Sequence, residues 1–224
     1  MNTSPLEYGK YYHIYNRGIN RCNLFQDNEN YVHFLNLFDK YISPVADTYA
    51  WVLMKNHFHF LVRIKPEAEI PFMDHKTPEG LPDTSGLEKN LSVSGRPESV
   101  SKRYKPANQF SHLFNAYTKA INKKYLRTGS LFEHPFKRIR VANINHLKYL
   151  VYYIHHNPVH HGFCESMFDY PWSSFLTVSS PLKTKLKRDE VLKWFANKDG
   201  FNDFHDEQKI KDASPLHIDM PHSF

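Results

Sequence analysis

The spacing of apolar positions changes period several times along the chain, and each change predicts an element. Residues 11–17, Tyr-Tyr-His-Ile-Tyr-Asn-Arg, are aromatic and β-branched and stop at Gly18, which predicts a strand. From Asp27 to Ile42 the period is helical, with Phe34, Leu35, Phe38 and Ile42 on one stripe and Ser43-Pro44 as the stop. Residues 48–54 and 57–64 read as two strands joined at Lys55-Asn56, a hairpin. Residues 65–100 hold Pro66, Pro71, Pro78, Pro82 and Pro97 among acidic and small residues, the pattern of a loop or a partly disordered insertion. A second amphipathic helix is expected over 106–125, striped by Phe110, Leu113, Phe114, Tyr117 and Ile121 and closed by Gly129. Residues 136–141 predict a fourth strand, and 144–157 a third helix that Pro158 ends. After Trp172 the pattern is mixed, with one amphipathic helix around 188–197 and no internal repeat. Strand, helix, strand, strand, helix, strand is the ferredoxin-like βαββαβ order of an α+β fold. It gives one antiparallel sheet with two helices on one face, and leaves the other face for an added helix or a ligand.

Composition narrows the function classes. At 224 residues the chain is one elaborated domain or one domain plus an appendage. Its 41% hydrophobic and 15% aromatic content suffices for a packed core and excludes global disorder. No uncharged apolar run reaches the ~18 residues of a membrane span, and Met1–Lys10 lack the apolar stretch of a secretory signal. Cys22 and Cys164 are the two cysteines, too few for a disulfide framework or a cysteine-based zinc site and consistent with a reducing cytoplasm. Neither G-x-x-x-x-G-K nor G-x-G-x-x-G occurs, so no nucleotide cofactor is expected.

The formal charge of +6 is unevenly spread. Residues 65–100 are acidic, whereas residues 101–141 carry ten basic side chains and one acidic one. A block this one-sided points to a polyanion, bound by phosphate neutralisation and counterion release. Lys119, Lys123, Lys124 and Arg127 on the second helix, with Lys137, Arg138 and Arg140 on the fourth strand, form a candidate track for a nucleic-acid backbone. Lys102, Arg103 and Lys105 lead into it, and Tyr104, Phe110, Phe114, Tyr117 and Tyr125 are interleaved where unpaired bases could stack. Strand four carries charge on both faces, which in a central strand would mean that its open face meets DNA.

Two patterns carry chemistry. In strand 57–64 the alternation puts Phe58, Phe60, Val62 and Ile64 on an apolar face and His57, His59, Leu61 and Arg63 on the other. Imidazoles at i and i+2 stand ~7 Å apart along a strand, close enough to share one metal ion or one phosphate; the alternative is a pair of surface histidines. In the third helix Leu147, Leu150, Val151 and Ile154 set the core stripe. Tyr153 and Asn157, i and i+4, lie together at the stripe's edge, where a group is both held and reachable. Tyr149, Tyr152 and His156 are expected to face outward, and any single tyrosine here can equally be a packing residue.

These residues together resemble a known family. His57-Phe58-His59 is similar to the His-hydrophobic-His motif of HUH nucleases, and Tyr153-Ile154-His155-His156-Asn157-Pro158-Val159 resembles the nucleophile helix of single-tyrosine HUH transposases, most of all the REP-associated tyrosine transposases, which act on repetitive extragenic palindromes. Gly129-Ser130-Leu131-Phe132, Phe136-Lys137-Arg138-Ile139 and Tyr170-Pro171-Trp172-Ser173-Ser174 extend the likeness over about residues 8–176. The resemblance implies a transposase domain over 1–176 and a C-terminal extension over 177–224. It implies a divalent metal, Mg²⁺ or Mn²⁺, on His57, His59 and Asn157, with His156 or His160 as alternatives to Asn157. It implies Tyr153 as nucleophile, a 5′-phosphotyrosine intermediate and a single-stranded or hairpin DNA partner. His146 is a candidate general base. A monomer or homodimer in a bacterial cytoplasm, associated with the nucleoid, is the matching expectation. A non-catalytic DNA-binding protein and a metal-dependent hydrolase of small phosphoesters are the competing functions.

Overall fold

The computed structural model describes residues 5–73 and 102–206. Most of the acidic insertion and the end of the C-terminal extension lie outside these residues. Four strands form one antiparallel sheet: β1 (Tyr11–Arg17), β2 (Ala46–Met54), β3 (His57–Ile64) and β4 (Lys137–Val141). Their order in the sheet is β2-β3-β1-β4, the ferredoxin-like arrangement. Helix α1 (Asn28–Ile42) connects β1 to β2, and α2 (Pro106–Lys124) precedes β4. The α+β class and the strand–helix order therefore agree with the hydrophobic pattern.

One face of the sheet is covered by α1 and α2, as the apolar face of β3 predicts. Phe34 packs on Phe58 and edge-on to Tyr117, and Phe38 stacks on Phe60 with ring centroids 4.2 Å apart. Phe110, Leu113, Phe114, Tyr117 and Ile121 complete this core. Each fully buried side chain of this size contributes ~1.5–3 kcal/mol. Asp27 starts α1 by accepting a hydrogen bond from the Asn30 N–H at 2.9 Å.

The other face is covered by α3 (Ile144–His160) and, beyond it, by α4 (Phe175–Ser179), α5 (Arg188–Trp194) and α6 (Lys198–His205). Leu147, Leu150, Val151 and Ile154 pack there with Val52, Met54 and Leu61 of the sheet, with Val191 of α5 and Phe201 of α6, and with Phe195 just after α5. The boundary expected at residue 176 thus falls inside α4. The extension, as far as residue 206, shares the core of α3.

Three expectations need correction. First, α3 runs past Pro158. That proline sits in the last turn, where its missing N–H removes a single ladder bond. The helix runs to His160 and is closed by Gly162, with φ +69°, where Gly162 N–H donates to Val159 O and Phe163 N–H to Pro158 O. Second, β4 is an edge strand, not a central one. Charge on both faces of an edge is the ordinary protection against edge-to-edge pairing, so its arginines do not by themselves mark a DNA surface. Third, Tyr152 faces inward. It stacks on His156 at 5.1 Å and meets Phe204 and His205, because α6 covers the side of α3 that a single stripe leaves open.

Candidate active site

β1 pairs with β3 so that Arg17 stands opposite His57, Tyr15 opposite His59 and His13 opposite Leu61. The side chains of this row point to the face that α3 covers. Asn143 anchors the start of α3 by accepting from the His146 N–H at 2.8 Å. The helix then lays Tyr153 and Asn157 across the histidine row. The Tyr153 ring is edge-on to His59 at 5.6 Å and to His13 at 6.1 Å. Asn157 Oδ1 lies 3.4 Å from His57 Nε2. The four residues that sequence spacing singles out are thereby brought together by two elements.

The hydrogen bonds fix the imidazoles. Asn56 Oδ1 accepts from His57 Nδ1 at 2.8 Å. With its proton on Nδ1, His57 turns the Nε2 lone pair toward the amide oxygen of Asn157, the arrangement that two ligands of one cation take. His59 Nδ1 is 2.9 Å from His13 Nε2, both groups buried. When His59 Nδ1 donates to His13, the Nε2 of His59 becomes the electron-pair donor. Orientation of a metal-binding imidazole through its other nitrogen is a recurring device. His13 was missed by sequence reasoning because its place beside His59 depends on strand register. The alternation of residues 11–17 was the available signal.

Burial holds these groups neutral. It lowers the pKa of His57 to about 4, with help from the nearby His161 imidazole. It lowers His13 to about 3 and His59 well below the usual imidazole value. Burial raises the Tyr153 phenol, and a hydrogen bond from Asn157 partly offsets that rise. Burial also raises the Tyr15 phenol, with a further rise from the nearby Tyr153. Among the described residues no three His, Cys, Asp or Glu side chains are grouped to hold a metal. An ion here would rest on two imidazoles and one amide oxygen. That neutral N,N,O set suits Mg²⁺ or Mn²⁺ weakly on its own, and more strongly when substrate phosphate adds oxygens.

The other histidines of this helix separate by environment. His155 is fully buried, with Nε2 2.8 Å from Ser174 Oγ and Nδ1 3.1 Å from His205 Nε2. His156 stacks on Tyr152, and His160 is exposed. Asn157, rather than His156 or His160, faces His57.

The basic block does not converge on this site. Lys119 and Lys123 are exposed on α2, across the sheet from His57. Lys124 is paired at 2.8 Å with both Asp27 and Glu29, and Arg127 donates to Asn122. Arg103 donates to Ile70 O and lies over Phe72, which ties the chain segments on either side of residues 74–101. Arg140 pairs with Glu7, and Arg138 lies over Phe136. By register with Tyr15, Lys137 is on the face of the histidines, while Arg138 and Arg140 follow Ile14 and Tyr12 to the opposite face. Lys105 is exposed at the start of α2. No helix among the described residues is long and apolar enough to cross a membrane.

No protein-family model and no curated protein matches the sequence. Among solved structures, a REP-associated tyrosine transposase bound to a REP hairpin is similar over 83% of this chain and 88% of its own, with a TM-score of 0.54 at 18% identity. The chain has the fold of that transposase. On this transposase fold, His57 and His59 occupy a strand beside the sheet centre, and Tyr153 and Asn157 lie on the helix that crosses it.

Proposed function

We propose that the protein is a transposase-like endonuclease that cleaves and rejoins single-stranded DNA presented by a hairpin. The observation that carries this reading is the meeting of His57, His59, Tyr153 and Asn157 on one buried face, from two elements far apart in sequence. The likeness to a transposase bound to a DNA hairpin agrees with it.

His57, His59 and Asn157 would hold a divalent ion. When bound, that ion would polarise a non-bridging oxygen of the scissile phosphate. Tyr153 is the nucleophile. Its Oη bonds to phosphorus while the P–O3′ bond breaks, leaving a 5′-phosphotyrosine on the enzyme and a free 3′-hydroxyl on the DNA. The phosphodiester energy is retained in the new bond, so rejoining needs no nucleotide cofactor. His146, two helical turns before Tyr153, is neutral at pH 7 because partial burial lowers its pKa, and it is the residue we assign to accept the phenol proton.

Incubation with single-stranded hairpin DNA and Mn²⁺, followed by a denaturing gel, tests the reading. Wild type should form a covalent protein–DNA adduct that EDTA abolishes and that Tyr153→Phe does not form. An adduct that persists in Tyr153→Phe overturns the nucleophile. Tight hairpin binding with no adduct under any metal favours a DNA-binding protein without chemistry.

A further inference from the structure

A cavity of about 230 Å³ opens beside His57, lined by Arg17, Arg21, Asn56, His57, His161 and Phe163. Arg17 ends β1 and Arg21 lies in the turn after it, two residues come from the β2–β3 hairpin, and two lie just past the end of α3. Only His57 and its partner Asn56 belong to the site above.

The turn that delivers Arg21 is rigid and strained. Asn20 (φ +53°) and Arg21 (φ +60°) are successive non-glycine residues in the left-handed region. Each carries a cost that persists only where the surroundings impose it. Here Gly18 N–H donates to Asn56 O at 2.8 Å, Ile19 N–H to Leu131 O at 2.9 Å and Cys22 N–H to Ile19 O at 3.0 Å. A Cβ on Gly18 would lie 2.1 Å from Cys22 O, so only glycine allows this closure. The result carries the exposed Arg21 to the rim of the cavity. Arg17 is fixed on the wall by its 2.6 Å bond to Glu133. Opposite, the Gly162 cap turns the chain so that Phe163 is 43% exposed, a large apolar ring with no reason in the core to be there. The His161 ring stands 5.1 Å from His57 and closes the floor. Guanidinium groups and an open aromatic face around one small cavity are the elements of a single-strand binding site.

We propose that this cavity is a nucleotide subsite on the single-strand path, taking the residue next to the scissile linkage: its base lies on Phe163, and its phosphate is met by Arg21 and Arg17. Sharing His57 with the reaction site places the two side by side. The subsite rests on the single-stranded DNA substrate proposed above, but not on Tyr153 being the nucleophile.

The test measures binding by fluorescence anisotropy in the Tyr153→Phe background, using hairpins whose single-stranded tail carries one abasic residue at successive positions. Phe163→Ala should weaken binding of the intact tail roughly five- to tenfold, the lower end for one base stacked on an aromatic ring. That penalty should vanish when one particular tail position is abasic. Arg21→Gln should weaken binding and reduce the slope of log K against log salt by about 0.7, the loss of one single-strand phosphate contact. Both side chains are at the surface, and unchanged melting temperatures verify the fold. If Phe163→Ala and Arg21→Gln bind every tail as the parent does, with the same salt slope, the subsite is overturned. Adduct formation by wild type is scored separately. An adduct without coupling at any position rejects the subsite alone, and coupling without an adduct rejects the nucleophile alone.

Discussion

The C-terminal helices are tied to α3 by a hydrogen-bond chain whose proton order follows from its last acceptor. His205 Nδ1 lies 2.8 Å from Phe201 O, and a carbonyl only accepts, so His205 is protonated on Nδ1. Its Nε2 then accepts from His155 Nδ1, and His155 Nε2 accepts from Ser174 Oγ, which in turn accepts from the Trp51 N–H at 2.9 Å. The chain links α6, α3 and β2, and both imidazoles must be neutral for it to hold. Replacing His205 by Ala should leave the His155 N–H without a partner, costing ~1–3 kcal/mol. It should also open a gap beside Phe201 and Phe195, for a total of about 3 kcal/mol. Gln offers an oxygen toward His155 and an N–H toward Phe201, so His205→Gln should lose about 1 kcal/mol or less at pH 7.

The two variants should part further in acid. Burial lowers the His205 pKa from 6.5 to about 4. A depressed histidine pKa means that the unfolded chain takes up the proton first, so its contribution is complete above pH 6.5 and is lost as the pH falls toward 4. The shift corresponds to roughly 3 kcal/mol at 1.36 kcal/mol per unit. Urea unfolding at pH 7, 5.5 and 4.5 measures both effects. Wild type should lose stability over that range more steeply than His205→Gln. Equal losses for the Gln and Ala variants at pH 7, or parallel acid profiles for wild type and His205→Gln, would refute the chain.

Other consequences are more local. His13→Ala removes the group that orients His59 and should weaken Mn²⁺ binding by ~10–100-fold in titration calorimetry; unchanged affinity would remove His13 from the site. Because the N,N,O donor set is neutral, Mn²⁺ affinity measured with and without hairpin DNA should be higher with it, and equal affinities would contradict a shared phosphate. Gly162→Ala meets no atom within 4 Å but must hold φ +69°, so it should cost about 1 kcal/mol of unfolding free energy, with no change in the slope against urea.

Period and spacing made the sheet face of β3 and the edge position of Tyr153 and Asn157 readable without coordinates, since strand and helix geometry place those side chains once the elements are known. His13 was beyond that reach, because pairing and register lie between it and His59. Pro158 reads as a stop because the usual penalty of a helical proline is large; in the final turn it is small, and Gly162 closes the helix. A single apolar stripe puts Tyr152 outside because it assumes one packing partner, whereas α3 has the sheet on one side and α6 on another. In sequence the basic block of 101–141 reads as one surface. Folding divides it between a helix on the far face and an edge strand, and gives Lys124 to Asp27 and Glu29. The arginines that line the cavity beside His57 are Arg17 and Arg21, from a segment whose net charge is unremarkable.

The proposed chemistry turns on the attack of Tyr153 on a DNA phosphate. The most direct measurement is peptide mapping by mass spectrometry of the protein trapped with single-stranded hairpin DNA and Mn²⁺. A nucleotide attached through its 5′-phosphate to Tyr153 is expected, and none when Mn²⁺ is chelated. Attachment at Tyr149, Tyr152 or Tyr15, or the absence of any attached nucleotide while the hairpin is cut, would contradict it.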